Sequence, residues 1–228
     1  MPSSTLPDAF EPSSPSDEGL YAHLTPELRA FALRGVVRSY PKKTIVINEG
    51  DIGDTVFVVL KGSVKVYAMD NNGREITYGH IHAGDYFGEM SLDGGPRSAS
   101  VITLEACTFA VLARSDVSEH LVEDPGFAIN LVVQVIRRAR DATEAARSMA
   151  LLDVYSRLVG VLEDPKDLSA TRSGDSVTLE SITHQDIASR VGASREMVSR
   201  LLKDLEKGGY IEMGVKRITL RKKLPTRW

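Results

Sequence analysis

The sequence predicts an α+β chain: an N-terminal β jelly roll, a long helix shaped to pair with a second copy of itself, and a C-terminal winged helix-turn-helix. Three observations predict it. Six short β-rich runs with turn residues between them fill Thr44 to Leu112, the pattern of a sandwich or barrel. The longest helical stretch, Ile129 to Ala150, repeats apolar residues in alternating steps of three and four. Two capped helical segments then meet at Gly192.

At 228 residues, 42% apolar and 26% charged, the chain is long enough for one large or two modest globular domains. A single cysteine, Cys107, excludes an intramolecular disulfide framework and an all-cysteine metal site built by one chain. No apolar run reaches membrane-spanning length and no signal-peptide order opens the chain, so a soluble, cytoplasmic protein with no membrane partner is expected. The net charge of −3 hides an uneven split. From Ser156 to Trp228, 14 Lys and Arg stand against 10 Asp and Glu, a net +4, which leaves 14 against 21, a net −7, for the remainder. A basic module attached to an acidic one suits a polyanionic partner.

Residues 1–19 hold four prolines, five serines and four acidic residues without Lys or Arg, a composition expected to stay disordered. Thr25-Pro26-Glu27 then opens a short helix that stops at Gly35. The β-domain, taken as residues 20–124, contains runs at Thr44–Ile47, Thr55–Leu60, Val64–Met69, Glu75–Ile81, Ala99–Thr103 and Cys107–Leu112, with Asp70-Asn71-Asn72-Gly73 as a hairpin turn. Residues 125–152 form the dimerisation helix. Its seam is Ile129, Val132, Ile136, Ala139, Thr143, Ala146 and Ala150, and Arg137, Arg138, Arg140, Asp141, Glu144 and Arg147 flank it. The seam is bulky first and small later, so Thr143, a polar residue in the looser half, is a candidate ligand contact. Asp153 caps the next helix and is the expected hinge, and residues 153–228 form the second domain.

In that domain Thr183 and Asp186 resemble a capping box with Asp in the usual Glu/Gln place, Ala188 allows close helix crossing, Gly192 turns the chain and Ser194 caps the second helix. Val198, Leu201, Leu202 and Leu205 face inward, which leaves Arg195, Glu196, Ser199, Arg200 and Lys203 outward and equipped to read base edges. Tyr210–Met213 and Arg217–Leu220 around Gly214 make the wing, whose Lys216 is a candidate phosphate contact.

In the β-domain, Gly84-Asp85-Tyr86-Phe87-Gly88-Glu89-Met90-Ser91-Leu92 is followed by Arg97-Ser98-Ala99. A glycine turn offers backbone N–H groups to an anion, Arg97 can clamp a phosphate through its fork, Ser98 adds a hydroxyl, and Glu89 can accept from a ribose hydroxyl.

From about Leu20 to Leu220 the chain resembles the Crp/Fnr family of transcription regulators, and its cyclic-AMP branch in particular. Phe87 to Leu92 with Arg97-Ser98-Ala99 is similar to that family's phosphate-binding cassette, and Ser194-Arg195-Glu196 with Arg200 to its recognition helix. The resemblance implies a cyclic-nucleotide-binding domain and a DNA-binding homodimer, not an enzyme, with cyclic AMP as allosteric effector and no metal. It implies ligand contacts from Gly88, Glu89, Met90, Ser91, Arg97, Ser98, Ala99, Arg138 and, across the dimer, Thr143. It implies DNA contacts from Thr183, Gln185, Ser194, Arg195, Glu196, Ser199, Arg200, Lys203 and Lys216, a palindromic operator with TGTGA-like half-sites, and RNA polymerase as partner. One departure reduces the adenine contact: Ala142-Thr143 stands where the branch has a Thr-Ser pair. Cyclic di-GMP and effector-free DNA binding are the alternatives. The N-terminal cysteines of oxygen-sensing relatives are missing. A rival from another class, a cupin-type metalloenzyme, rests on His80-Ile81-His82 followed by Glu89, but the Glu comes seven residues after the second His, later than that family's usual four or five.

Overall fold

The computed structural model describes residues 18–165, 168–173 and 176–225. Most of the expected tail therefore lies outside the described residues; its last two, Glu18 and Gly19, open a first short helix, α1 (Glu18–Tyr21). Helix α2 (Pro26–Ala32) starts where the proline predicts it, with Leu28 N–H donating to the Thr25 hydroxyl at 3.3 Å.

The β-domain is built from β1 (Val36–Tyr40), β2 (Ile45–Ile47), β3 (Val56–Lys61), β4 (Ser63–Met69), β5 (Glu75–His82), β6 (Tyr86–Phe87), β7 (Ser100–Thr103) and β8 (Cys107–Leu112). They form two four-stranded sheets, in the orders β1-β8-β3-β6 and β2-β7-β4-β5. Phe57, Val59, Phe87, Phe109 and Cys107 of the first sheet meet Ile47, Val64, Ile81 and Val101 of the second in the interior. The other face of the first sheet, through Val56, Val58, Leu60 and Leu112, is covered by Phe31 of α2, Val117 of α3 (Arg114–Glu123) and Phe127. Strand β3 is covered on both faces, so five of its residues in succession are buried. That explains the unbroken apolar run where a half-exposed strand would alternate.

Helix α4 (Pro125–Leu151) follows, then α5 (Val154–Glu163), β9 (Ala170–Ser173), β10 (Ser176–Glu180), α6 (His184–Val191), α7 (Arg195–Lys207), β11 (Ile211–Gly214) and β12 (Arg217–Leu220). The last four strands make one antiparallel sheet, β11-β12-β10-β9. Leu158, Leu162, Leu179, Ile187, Val191, Val198, Leu202 and Leu205, all with essentially no solvent exposure, are the core of this part.

The jelly roll, the long helix and the winged helix-turn-helix are thus all present. Four strands and two helices were not expected: β1, β6, β9, β10, α1 and α3. The chain divides into two compact units, Met1–Val66 with His80–Ile136 and Tyr67–Gly79 with Arg137–Trp228. This division falls inside α4, whereas the boundaries read from sequence fall where α4 and α5 begin.

Candidate functional site

The anion cassette begins where β6 ends. Phe87 stacks on Phe57 at 4.9 Å with the rings nearly parallel, which fixes the strand against β3. Gly88 then takes φ +91°, and a Cβ there would stand 2.7 Å from the Thr55 carbonyl oxygen and 3.0 Å from Arg97 Nη1. No other residue fits. The chain closes into a 3-10 turn over Glu89–Ser91, and Leu92 N–H donates to the Glu89 carbonyl at 3.0 Å.

Arg97 is buried, 7% exposed, at the centre of this turn. Its Nη1 donates to the Gly88 carbonyl at 2.9 Å and the Ser91 hydroxyl at 2.7 Å. Its Nη2 donates to the Thr55 carbonyl and the Thr55 hydroxyl, both at 2.9 Å. Burial lowers the arginine pKa against the opposing pull of Asp54, Glu89 and Asp51. Both terminal nitrogens thus face the protein's own acceptors. Ser98 is exposed beside them, its hydroxyl 3.5 Å from the sulfur of the exposed Met90. Ala99 is half-buried, and Glu89 is buried at 4% exposure. Sequence reasoning missed Thr55 and Gly53, where a Cβ would stand 3.0 Å from the guanidinium. Nothing local could have found them, because Thr55 reaches Arg97 across 42 positions.

Helix α4 carries the other expected ligand contacts. Thr143 is exposed and donates its hydroxyl to the Ala139 carbonyl one turn back, at 2.9 Å; Arg138 is half-buried. Ile129, Val132 and Ile136 of the seam are 66%, 56% and 44% exposed. Asp153 caps α5 by accepting from Ser156 N–H at 2.7 Å, and that bond lowers its carboxyl pKa. Arg157 adds a tie that the sequence did not suggest. It donates to the Leu152 carbonyl at 2.6 Å and the Val191 carbonyl at 2.8 Å, satisfying acceptors at the ends of α4 and α6.

In the helix-turn-helix the capping box forms: Asp186 N–H donates to the Thr183 hydroxyl at 3.2 Å, and Thr183 N–H to the Asp186 carboxylate at 2.8 Å. The Thr183 hydroxyl also donates to that carboxylate at 2.6 Å, so it is engaged in the cap. Gly192 at φ +61° turns the chain, and Ser194 caps α7 by accepting from Met197 N–H at 3.2 Å. Gln185, Arg195, Glu196, Arg200 and Lys203 are exposed, as expected of a reading face. Ser199 departs from that expectation: it is half-buried, and its hydroxyl lies 2.8 Å from His184 Nδ1, where it ties α7 to α6. Glu196 is held ionised by its own N–H and the Ser194 hydroxyl. Lys216 occupies the wing turn at φ +51°.

An anion cassette on a β-roll, a long helix with an uncovered apolar seam, and a winged reading head define the class: a ligand-responsive DNA-binding regulator. Comparison with known proteins narrows it. Residues 37–124 match the cyclic nucleotide-binding domain and residues 155–224 the Crp-like helix-turn-helix domain. The chain is 32% identical over 198 residues, 86% of its length and 94% of the relative's, to the cAMP-activated global transcriptional regulator CRP of Escherichia coli. It is 35% identical over 182 residues, 77% of its length and 85% of the relative's, to the cAMP-activated regulator Vfr of Pseudomonas aeruginosa. Among solved structures it is similar to the c-di-GMP responsive global regulator CLP of Xanthomonas campestris, with a TM-score of 0.77 at 29% identity over 86% of this chain and 98% of that one. The chain belongs to the CRP/FNR family of transcription regulators: it is a cyclic-nucleotide-binding, DNA-binding regulator and not an enzyme. The cupin reading is overturned by that membership. The His80 and His82 rings are 6.4 Å apart, and among the described residues no three potential metal ligands gather. Among the described residues no helix is long and apolar enough to cross a membrane.

Proposed function

We propose that this regulator binds cyclic AMP at the Gly88–Ser91 turn and Arg97, and that it acts in the cytoplasm as a homodimer joined along α4. The single observation that carries the ligand reading is the buried Arg97, one guanidinium held against a glycine turn, with Ser98 exposed next to it. One fork suits one phosphate. The uncovered seam of Ile129, Val132 and Ile136 supports the second copy, because apolar side chains one and two turns apart on a long helix gain most by packing on their like. Thr143, further along the same seam, would then stand where a base bound to one protomer meets its partner. Arg195, Glu196 and Arg200 would read TGTGA-like half-sites of a palindromic operator, with Thr183, Gln185, Ser194, Ser199, Lys203 and Lys216 in support and RNA polymerase as the protein partner. Asp153 would serve as the hinge.

Cyclic di-GMP is the second reading. It is favoured by Ala142 in place of a hydroxyl and by the likeness to a c-di-GMP responsive regulator. The deciding experiment titrates cyclic AMP, cyclic GMP and cyclic di-GMP into wild-type protein and Arg97→Leu while following operator affinity by fluorescence anisotropy. Cyclic AMP should tighten operator binding of the wild type alone. A response to cyclic di-GMP only, or an Arg97→Leu protein that responds like the wild type, overturns the assignment.

A further inference from the structure

Arg97 is clasped by the segment that joins β2 to β3. Gly50 N–H donates to the Arg97 carbonyl at 2.8 Å, Arg97 N–H to the Asp51 carbonyl at 2.9 Å, and Ile52 pairs with Pro96 as an isolated antiparallel bridge. Gly53 leaves the guanidinium room, since a Cβ there would stand 3.0 Å from both Nε and Nη2. The side chain then closes the clasp with the four hydrogen bonds to Gly88, Ser91 and Thr55 described above.

A guanidinium has five N–H groups, four of them on the two terminal nitrogens. Here each terminal nitrogen has two protein acceptors within 2.9 Å, one of each pair a side-chain hydroxyl. A cyclic phosphate that takes a two-pronged hold on this fork must displace acceptors already present. We propose that the Thr55 and Ser91 hydroxyls compete with the anionic ligand for Arg97 and thereby set the affinity of the pocket, with Thr55 released whenever a ligand is held. This deepens the cyclic-nucleotide reading and rests on it. The backbone bonds at Gly50 and Asp51 involve no side chain, so Arg97 exchanges its partners without leaving its backbone position. The exchange is local, and its balance depends on two hydroxyls, of which Thr55 lies far from the rest of the cassette in sequence.

Thr55→Val keeps the shape and removes one acceptor; Ser91→Ala removes the other. Calorimetric titration of full-length protein with cyclic AMP should show each variant binding several-fold more tightly and the double variant about tenfold or more. Thr55→Ser, which retains a hydroxyl, should restore wild-type affinity, and thermal melts verify that every variant is folded. Equal or weaker binding by folded Thr55→Val and Ser91→Ala, with the wild type binding normally, overturns the competition and leaves the pocket standing. Binding that appears only in the double variant supports it. Absence of cyclic AMP binding in all of them takes down the pocket reading and this proposal together.

Discussion

His120 lies on α3 at 4% exposure, its ring 5.2 Å from Phe31 and 4.9 Å from Phe127, and its Nε2 makes no hydrogen bond. Burial lowers its pKa below the ordinary 6.5, and Arg34 adds to that while Asp124 and Glu123 oppose it. A histidine kept neutral by folding must take up a proton when the chain unfolds in acid. Stability from this site is fully present above about pH 6.5 and is lost as pH falls toward the folded pKa, because the unfolded chain binds more protons in that window. His184, shielded beside Arg195 and Lys203, shifts in the same direction, so the wild type alone does not isolate one residue. Melting temperatures from about pH 7.5 to about pH 5 should therefore fall less steeply in His120→Phe, which fills the aromatic gap, than in the wild type. Parallel curves would assign the acid sensitivity elsewhere.

Helix α4 is the element on which the proposed dimer depends. Ile136 is exposed within one protomer, so Ile136→Asp leaves the monomer's own core untouched while placing a charge in the proposed seam. Sedimentation analysis should show the dimer dissociation constant raised by at least about thirtyfold, the loss expected when a central apolar anchor is removed. An unchanged constant would place the dimer contact on another surface. The same helix shows what sequence could reveal. Its three-and-four rhythm ran over several turns and was legible, as were the capped pair α6 and α7 and the unbroken run of β3. Helix α3 was not, because only Val117 and His120 of its ten residues are buried, which leaves no apolar period to read. Strand β1 pairs only with β8 at the sheet edge, with none of its five residues buried, and β6 has two residues. Half of the cassette was legible for a similar reason: Gly88, Arg97 and Ser98 are near neighbours in sequence, while Thr55 arrives only through sheet pairing.

For the whole molecule, charge placement separates affinity from recognition. The stretch from Ser156 carries a net +4 while the rest carries −7, so attraction to phosphate is concentrated at the end that holds α7 and the wing. Lys216, exposed on the wing turn, bears a charge with no reading geometry of its own, whereas Glu196 is an acceptor at the first turn of α7. Operator affinity measured against salt should therefore respond differently to their removal. Lys216→Ala should weaken binding to every sequence alike and reduce the salt slope by about one for each such residue engaged on the duplex, since each phosphate neutralised releases close to one counterion. Glu196→Ala should leave the slope in place and relax the preference at one base pair per half-site, because it removes no phosphate-neutralising cation but takes away the acceptor proposed for cytosine N4. If Lys216→Ala altered base preference, or Glu196→Ala altered only the slope, the division between the phosphate-holding wing and the base-reading helix would be the wrong one.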